Sequence, residues 1–164
     1  VSGLHEALSE DAEFKALAST SETTIYDIRK PKTIDELSFW SGKILDLKIP
    51  KIAVLGTDCA TGKRTVCQFL VQDLSDSDIK TEVIYTGQTG FLQGFKYGFI
   101  LDSTLNDFVS GELEKAILEC AKESNPEIIL IEGQSSLRNP SGPCGSELLL
   151  SGDVDGVTPV TPSP

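Results

Sequence analysis

Methionine is missing altogether from this chain of 164 residues, position 1 included, and histidine and tryptophan occur once each. No apolar run approaches the roughly 20 residues that a membrane span requires, so no membrane partner is expected. Basic residues are also scarce. Lys and Arg total 14 against 25 Asp and Glu, giving a net charge of −11. Nucleic acid is therefore disfavoured as the main partner, because phosphate backbones call for a basic surface. The four cysteines, Cys59, Cys67, Cys120 and Cys144, form no C-x-x-C pair and show no metal-ligand spacing. A reduced, cytoplasmic protein is the simpler expectation. The opening VSGLHEALSEDAEF is charged and amphipathic, unlike a secretory signal. The lack of methionine leads to the expectation that the chain is a fragment.

What is present is a globular composition, 39% hydrophobic, in enough residues for one full core. The chemistry concentrates in Lys51–Thr65, KIAVLGTDCATGKRT. The apolar run Ile52–Leu55 stops at Gly56, a polar loop follows, and a helical pattern starts directly after Gly62-Lys63. Strand, glycine-bounded loop and helix in that order make a phosphate-binding P-loop. The N–H groups of Gly56, Thr57, Asp58, Cys59, Ala60, Thr61 and Gly62 can curl into an anion nest. The helix that starts at Lys63, Arg64 and Thr65 adds the positive end of its dipole. Lys63 is expected at the rim of that nest, reaching for the outer phosphate oxygens. The pattern departs from G-x-x-x-x-G-K-[ST] in two ways. Five residues separate the glycines, and Arg64 stands where the magnesium-binding hydroxyl belongs, with Thr65 one place late. The loop resembles the GTD…GK loop of dethiobiotin synthetase and its relatives. Cys59 sits where a helix N-terminus could activate a thiol, although a small residue that merely fits is the simpler reading.

Along the chain, Leu4–Ala18 has mostly helical spacing, with a turn or fresh N-cap at Ser9–Ala12. Thr23–Ile28 reads as a short strand, and Thr33–Leu37 as one helical turn capped by Thr33 with Glu36. Phe39 and Trp40 are expected to pack the connector onto the core, and Ser41–Pro50 to carry one edge strand at most. In the helix after the loop, Val66, Phe69, Leu70 and Leu74 are placed on the buried side. Thr81–Thr86 is the second core strand and ends in a glycine-rich turn, Gly87–Gly90. Gln88 and Thr89 are placed there to reach a ligand, since ligands sit beyond the carboxyl ends of parallel strands. Asp102–Thr104 offers caps for a helix running through Ala121. Glu127–Ile131 reads as a strand buried on both faces. It ends at Glu132, where an acid beside a P-loop suits magnesium or water held by it. Ser135–Gly145 reads as a lid or substrate loop, Glu147–Leu150 as a short helix, and Val154–Val157 as the start of a further strand. His5 on its helical face reads as structural.

Alternation of β and α implies an α/β fold, a three-layer P-loop-type domain with a mainly parallel sheet. Three motifs, GTDCATGKRT, TGQTG (86–90) and EGQSSL (132–137), stand in an order and spacing that resemble a bacterial and archaeal two-domain family. That family has a Rossmann-like N-terminal domain and a P-loop C-terminal domain, and some of its members are D-glutamate N-acetyltransferases. The resemblance implies that residues 1–31 are the end of the Rossmann-like domain. Residues 32–50 are then a linker, 51–157 an incomplete P-loop domain, and 158–164 a tail.

Two enzymatic readings remain open at this point. In the first, which the resemblance implies, an acetyl-CoA-type donor docks its phosphates in the nest and an acidic amino acid accepts the acetyl group. Glu132 or Asp58 is then the general base, with His5 an outside candidate. Arg64, Lys96 and Arg138 are cationic partners for the substrate carboxylates, and Gln88, Thr89 and Gln134 further substrate contacts. In the second, ATP is the cofactor in a ligation or phosphoryl transfer, with Lys63 on the phosphates and Thr65 or Thr57, with Asp58 and Glu132, organising magnesium. A non-catalytic nucleotide-binding module is a third reading. All three imply a small-molecule ligand, and self-association into a homo-oligomer stays open.

Overall fold

The structure is a computed structural model that describes residues 1–137 and 145–162. Five strands form one sheet: β1 (Lys51–Gly56), β2 (Thr81–Tyr85), β3 (Tyr97–Gly98), β4 (Ile128–Glu132) and β5 (Gly156–Val160). All are parallel, in the order β3-β2-β4-β1-β5. The helices are α1 (Ala12–Thr20), α2 (Lys63–Ser75), α3 (Gln88–Leu92), α4 (Asn106–Ser124) and α5 (Gly145–Ser151). No helix among the described residues is long and apolar enough to cross a membrane.

Strand alternation divides the core into two layers. Ala53, Leu55, Ile84, Ile129 and Ile131 face one side, where Val109, Leu113, Ala116 and Ile117 of α4 and Leu148 of α5 cover them. Val54, Val83, Leu130 and Val160 face the other side, under Cys67 of α2. The apolar run of β4 therefore serves both layers, as a strand covered on both faces must. Each fully buried Ile or Leu is worth about 1.5–3 kcal/mol over an exposed one, which fixes this strand at the sheet's centre. In α2, Val66, Leu70 and Val71 pack on the sheet, whereas Phe69, expected there, is 65% exposed. A residue at 69 falls between the turns that face the sheet.

The segment before the sheet is tied down by polar contacts. Two buried acids of α4 hold it: the Ser38 N–H donates to Glu112 (3.0 Å), and the Ile44 and Ser41 N–H groups donate to Glu114. Glu112 also pairs with Lys32. Trp40 is partly exposed and donates its indole N–H to the Ser151 carbonyl, and Phe39, although mostly exposed, lies against Phe108.

Several local expectations are corrected. Thr23–Ile28 is not a strand; β-branched residues make one only where a neighbouring strand offers a ladder. The region 41–50 holds a 3-10 turn at Lys43–Asp46 instead of an edge strand. Gly87–Gly90 is not a plain turn, because α3 begins at Gln88. Asp102–Thr104 does not cap α4, whose N-cap is Leu105. The tail expected from 158 is, as far as Val160, part of β5, paired with β1 in the register Ile52↔Gly156 to Gly56↔Val160. Pro159 is tolerated there because β5 is an edge strand and needs a ladder on one side alone. The turn at Ile34–Glu36 and the N-cap at Asp11 form as expected.

Candidate functional site

The loop leaves β1 at Gly56 and is anchored at once by the Thr57 N–H, which donates to the Val160 carbonyl at 3.0 Å. Asp58 accepts from the Cys59 N–H at 2.7 Å, a local turn that spends its carboxylate within the loop. Ala60 has φ +55 and Gly62 φ +96. The second suits glycine, while the first costs a side-chain-bearing residue about 1–3 kcal/mol and is the kind of strain that accumulates at binding loops. Helix α2 starts directly afterwards, so its first N–H groups lack intrahelical acceptors and face the loop.

Lys63 departs from its expected place. Its ammonium is folded inward instead of standing at the rim, 7% exposed, and donates to the carbonyls of Asp58 (3.0 Å) and Ser135 (2.6 Å). The reason is solvation. A desolvated ammonium must find acceptors, and these two carbonyls lie within reach of its stem. An entering anion would compete for the same charge with a full negative charge, which is the stronger partner.

Because β4 pairs directly with β1, Val54 opposes Glu132, and the acid arrives beside the loop. Glu132 is 5% exposed. Its Oε1 lies 3.9 Å from Arg64 Nη1. Its Oε2 is buried without a partner among the described residues, as is Arg64 Nε. Burial pushes the Glu132 carboxyl above its ordinary value, and Arg64, the Thr86 backbone and Lys63 offset part of that rise. Gly90 makes room for the carboxylate: a Cβ there would stand 2.7 Å from Oε2. Gln134 donates to the Thr86 carbonyl at 3.3 Å.

These groups share one open cleft of ≈ 660 Å³. Lys63, Arg64, Thr65, Glu132 and Gln134 line it, together with Cys59, Ala60 and Gly62 of the loop. Thr65 is exposed at its edge. The Cys59 thiol lies 3.5 Å from the Ser135 hydroxyl. Thr57 and Asp58 do not line the cleft, and neither do Gln88, Thr89 or His5. Gln88 instead accepts from the Gly3 N–H at 2.7 Å. Lys96 pairs with Glu123 at 2.9 Å, also away from the cleft. Arg138, most of the lid loop and Cys144 lie outside the described residues. Three lining residues were not foreseen as ligand contacts, Leu101, Asp102 and Gly133, whereas Ser135 opens the stretch read from sequence as a lid or substrate loop. Asp102 is held by Arg29 at 2.7 Å, and Arg29 in turn lies 3.4 Å from His5. That chain links the N-terminal segment to the cleft wall, and nothing in local sequence pattern signals it. A second cavity of ≈ 700 Å³ is walled by Tyr26, Tyr85 and Phe91.

A parallel sheet with a glycine-bounded loop and a buried acid on the adjacent strand is the build of a P-loop α/β protein. Comparison with known families narrows this. The chain belongs to the DUF1611 family: residues 38–159 match its "P-loop domain" and residues 1–31 its "Rossmann-like domain", both described as domains of unknown function. It is 34% identical over 141 residues to a "D-glutamate N-acetyltransferase" of Pseudoalteromonas sp., covering 86% of this chain and 40% of that protein. A protein of the same name from Tritonibacter scottomollicae is 29% identical over 136 residues, covering 83% of this chain and 38% of that protein. A crystal structure of a DUF1611 family protein from Anabaena variabilis superposes with a TM-score of 0.86 at 28% identity, over 97% of this chain and 45% of that one. The chain thus spans about 40% of the length of the curated relatives it matches.

Proposed function

We propose that this chain is the phosphate-binding part of an N-acetyltransferase that acts on an acidic amino acid of the D-glutamate type, with a CoA-type donor. The observation that carries this reading is the shared cleft, where two cations, Lys63 and Arg64, stand beside the buried carboxylate of Glu132. The names of the two curated relatives support the substrate class. A bound thioester supplies an activated acetyl carbon. Lys63, Arg64 and the first N–H groups of α2 hold the donor's phosphates. Glu132 takes the proton from the substrate amine as the N–C bond forms and the C–S bond breaks, and passes it through water to the departing sulfur, which restores the carboxylate. With the phosphates on Arg64, the donor's pantetheine arm must fold back over the cleft to bring its thioester to Glu132. A carboxylate raised by burial is the better base for that transfer near neutral pH.

The test is an assay of the polypeptide that carries this chain, with acetyl-CoA and D-glutamate. N-acetyl-D-glutamate and free thiol are expected in equal amounts. Absence of acetylated product sinks the reading. Formation of ADP from ATP in the same mixture would favour ligation or phosphoryl transfer, and ligand binding without turnover a non-catalytic module.

A further inference from the structure

In a P-loop that uses magnesium, the residue directly after the lysine offers a hydroxyl to the metal, and an acid on a neighbouring strand holds the metal's water shell. Here the residue after Lys63 is Arg64, and its guanidinium lies 3.9 Å from that acid, Glu132. A dication seated on the acid would meet a fixed cation at close range. Thr65, the nearest hydroxyl in sequence, stands exposed at the cleft edge. Among the described residues no cluster of three His, Cys, Asp or Glu side chains could supply an alternative cage.

Two further facts point to what the pair is for. The Arg64–Glu132 contact is long for an ion pair, and Arg64 Nε is buried with no acceptor. The guanidinium thus retains donor capacity in the cleft wall, at a depth where an unpaired donor is costly. Glu132 Oε2 is likewise buried without a donor in a residue 5% exposed. One orphan wants an anion and the other a proton-bearing group. A guanidinium is suited to the first, since its fork matches two phosphate oxygens at once.

We propose that Arg64 is a built-in counter-cation that replaces magnesium, so that this cleft binds the diphosphate group of its ligand without a divalent metal. The inference rests on the phosphate-binding reading above and adds the identity of the charge that neutralises the phosphates. A diphosphate is common to CoA and ATP, and the two differ in whether the tight form is a metal complex.

The test is calorimetric titration of the protein with inorganic pyrophosphate, CoA and ATP, each in EDTA and in millimolar magnesium. Pyrophosphate and CoA are expected to bind in EDTA with a Kd within about twofold of that in magnesium. Arg64→Gln should weaken both by about 10- to 100-fold in EDTA, while Lys122→Gln, an exposed charge change on α4, should not. If magnesium tightens pyrophosphate or CoA more than about tenfold, or if they bind in magnesium alone, the proposal is overturned. The metal comparison needs no variant, so it stands even if Arg64→Gln fails to fold. ATP binding in magnesium alone, with CoA bound in EDTA, would identify CoA as the source of the diphosphate and keep the proposal. Metal-free binding without acetylated product would defeat the proposed reaction and leave this inference intact; magnesium-dependent binding with acetylated product would do the reverse.

Discussion

The Lys63 ammonium donates to the Ser135 carbonyl at 2.6 Å, tying the start of α2 to the segment that follows β4. The contact joins two stretches that are 72 residues apart in sequence. It also gives Lys63 a structural duty that competes with its proposed one.

Replacing Lys63 by Met separates the two duties. The stem keeps its volume and the cost of desolvating an ammonium disappears, but the Asp58 and Ser135 carbonyls lose their donor, so stability should fall by about 1–3 kcal/mol. Pyrophosphate binding should weaken by about 10- to 100-fold. Urea denaturation and calorimetry on the same preparation check both. Undiminished binding would remove Lys63 from the phosphate role.

Gly111 of α4 carries the connector across its surface. A Cβ at that position would fall 1.8 Å from the Ser38 carbonyl oxygen and 2.5 Å from Phe39 backbone carbon. Backbone cannot rotate aside as a flexible side chain can, so Gly111→Ala should cost more than about 2 kcal/mol. The intrinsic helix gain from alanine, about 1 kcal/mol, works in the opposite direction. A rise in the urea midpoint would show that the connector does not lie on α4 in solution.

Much of this arrangement was legible in the residues. The Ile52–Leu55 run ending at Gly56, and Lys63 opening an apolar-periodic stretch, encode β1, loop and α2 locally. Glu132 was readable too, because a continuous apolar strand ending in an acid has few other uses. Non-local relations were not readable. That Arg64 faces Glu132 depends on β4 pairing with β1 in one register, Val54↔Glu132, and sequence pattern does not specify which strands are neighbours. Residues 158–160 looked like a tail because Thr-Pro-Val composition carries no strand period, yet one vacant side of β1 was enough to recruit them. Thr23–Ile28 failed for the converse reason, strong β propensity with no partner. Gln88 was placed at the ligand by strand-end logic but turns to the Gly3 N–H, a contact made by a segment far away in the chain.

Glu114 makes the connector sensitive to acid. Burial pushes its carboxyl up, but hydrogen bonds from the Ser41, Ile44 and Gly42 backbone together outweigh burial and hold it below its ordinary value. In the unfolded chain the ordinary value returns, so the unfolded state binds the proton first as pH falls. The stabilisation is complete above the ordinary glutamate value and is lost as pH drops from there through the depressed one. Wild type should therefore lose more stability than Glu114→Gln over that interval, read as urea midpoints at successive pH values. Parallel curves would mean that the carboxylate is not held by those N–H groups.

Glu132 has the opposite sign, and its two consequences can be set against each other. Its folded-state carboxyl lies above the ordinary value, chiefly through burial. The folded state therefore keeps its proton over a range where the unfolded state has lost it. Its contribution is most favourable below the ordinary glutamate value and is lost as pH rises through the raised one. Glu132→Gln, which cannot ionise, should then have a higher denaturation midpoint than wild type at neutral pH and converge with it in acid. The proposed proton transfer demands the ionised form that stability resists. If Glu132 is the base for the amine, the acid limb of kcat/KM should fall as pH drops through this raised value. Glu132→Gln should then lose about 10²- to 10⁴-fold in kcat while retaining pyrophosphate binding. A gain in stability coupled to a loss of turnover is the signature of a charge kept buried for chemistry. Unchanged turnover in Glu132→Gln would assign the proton transfer elsewhere.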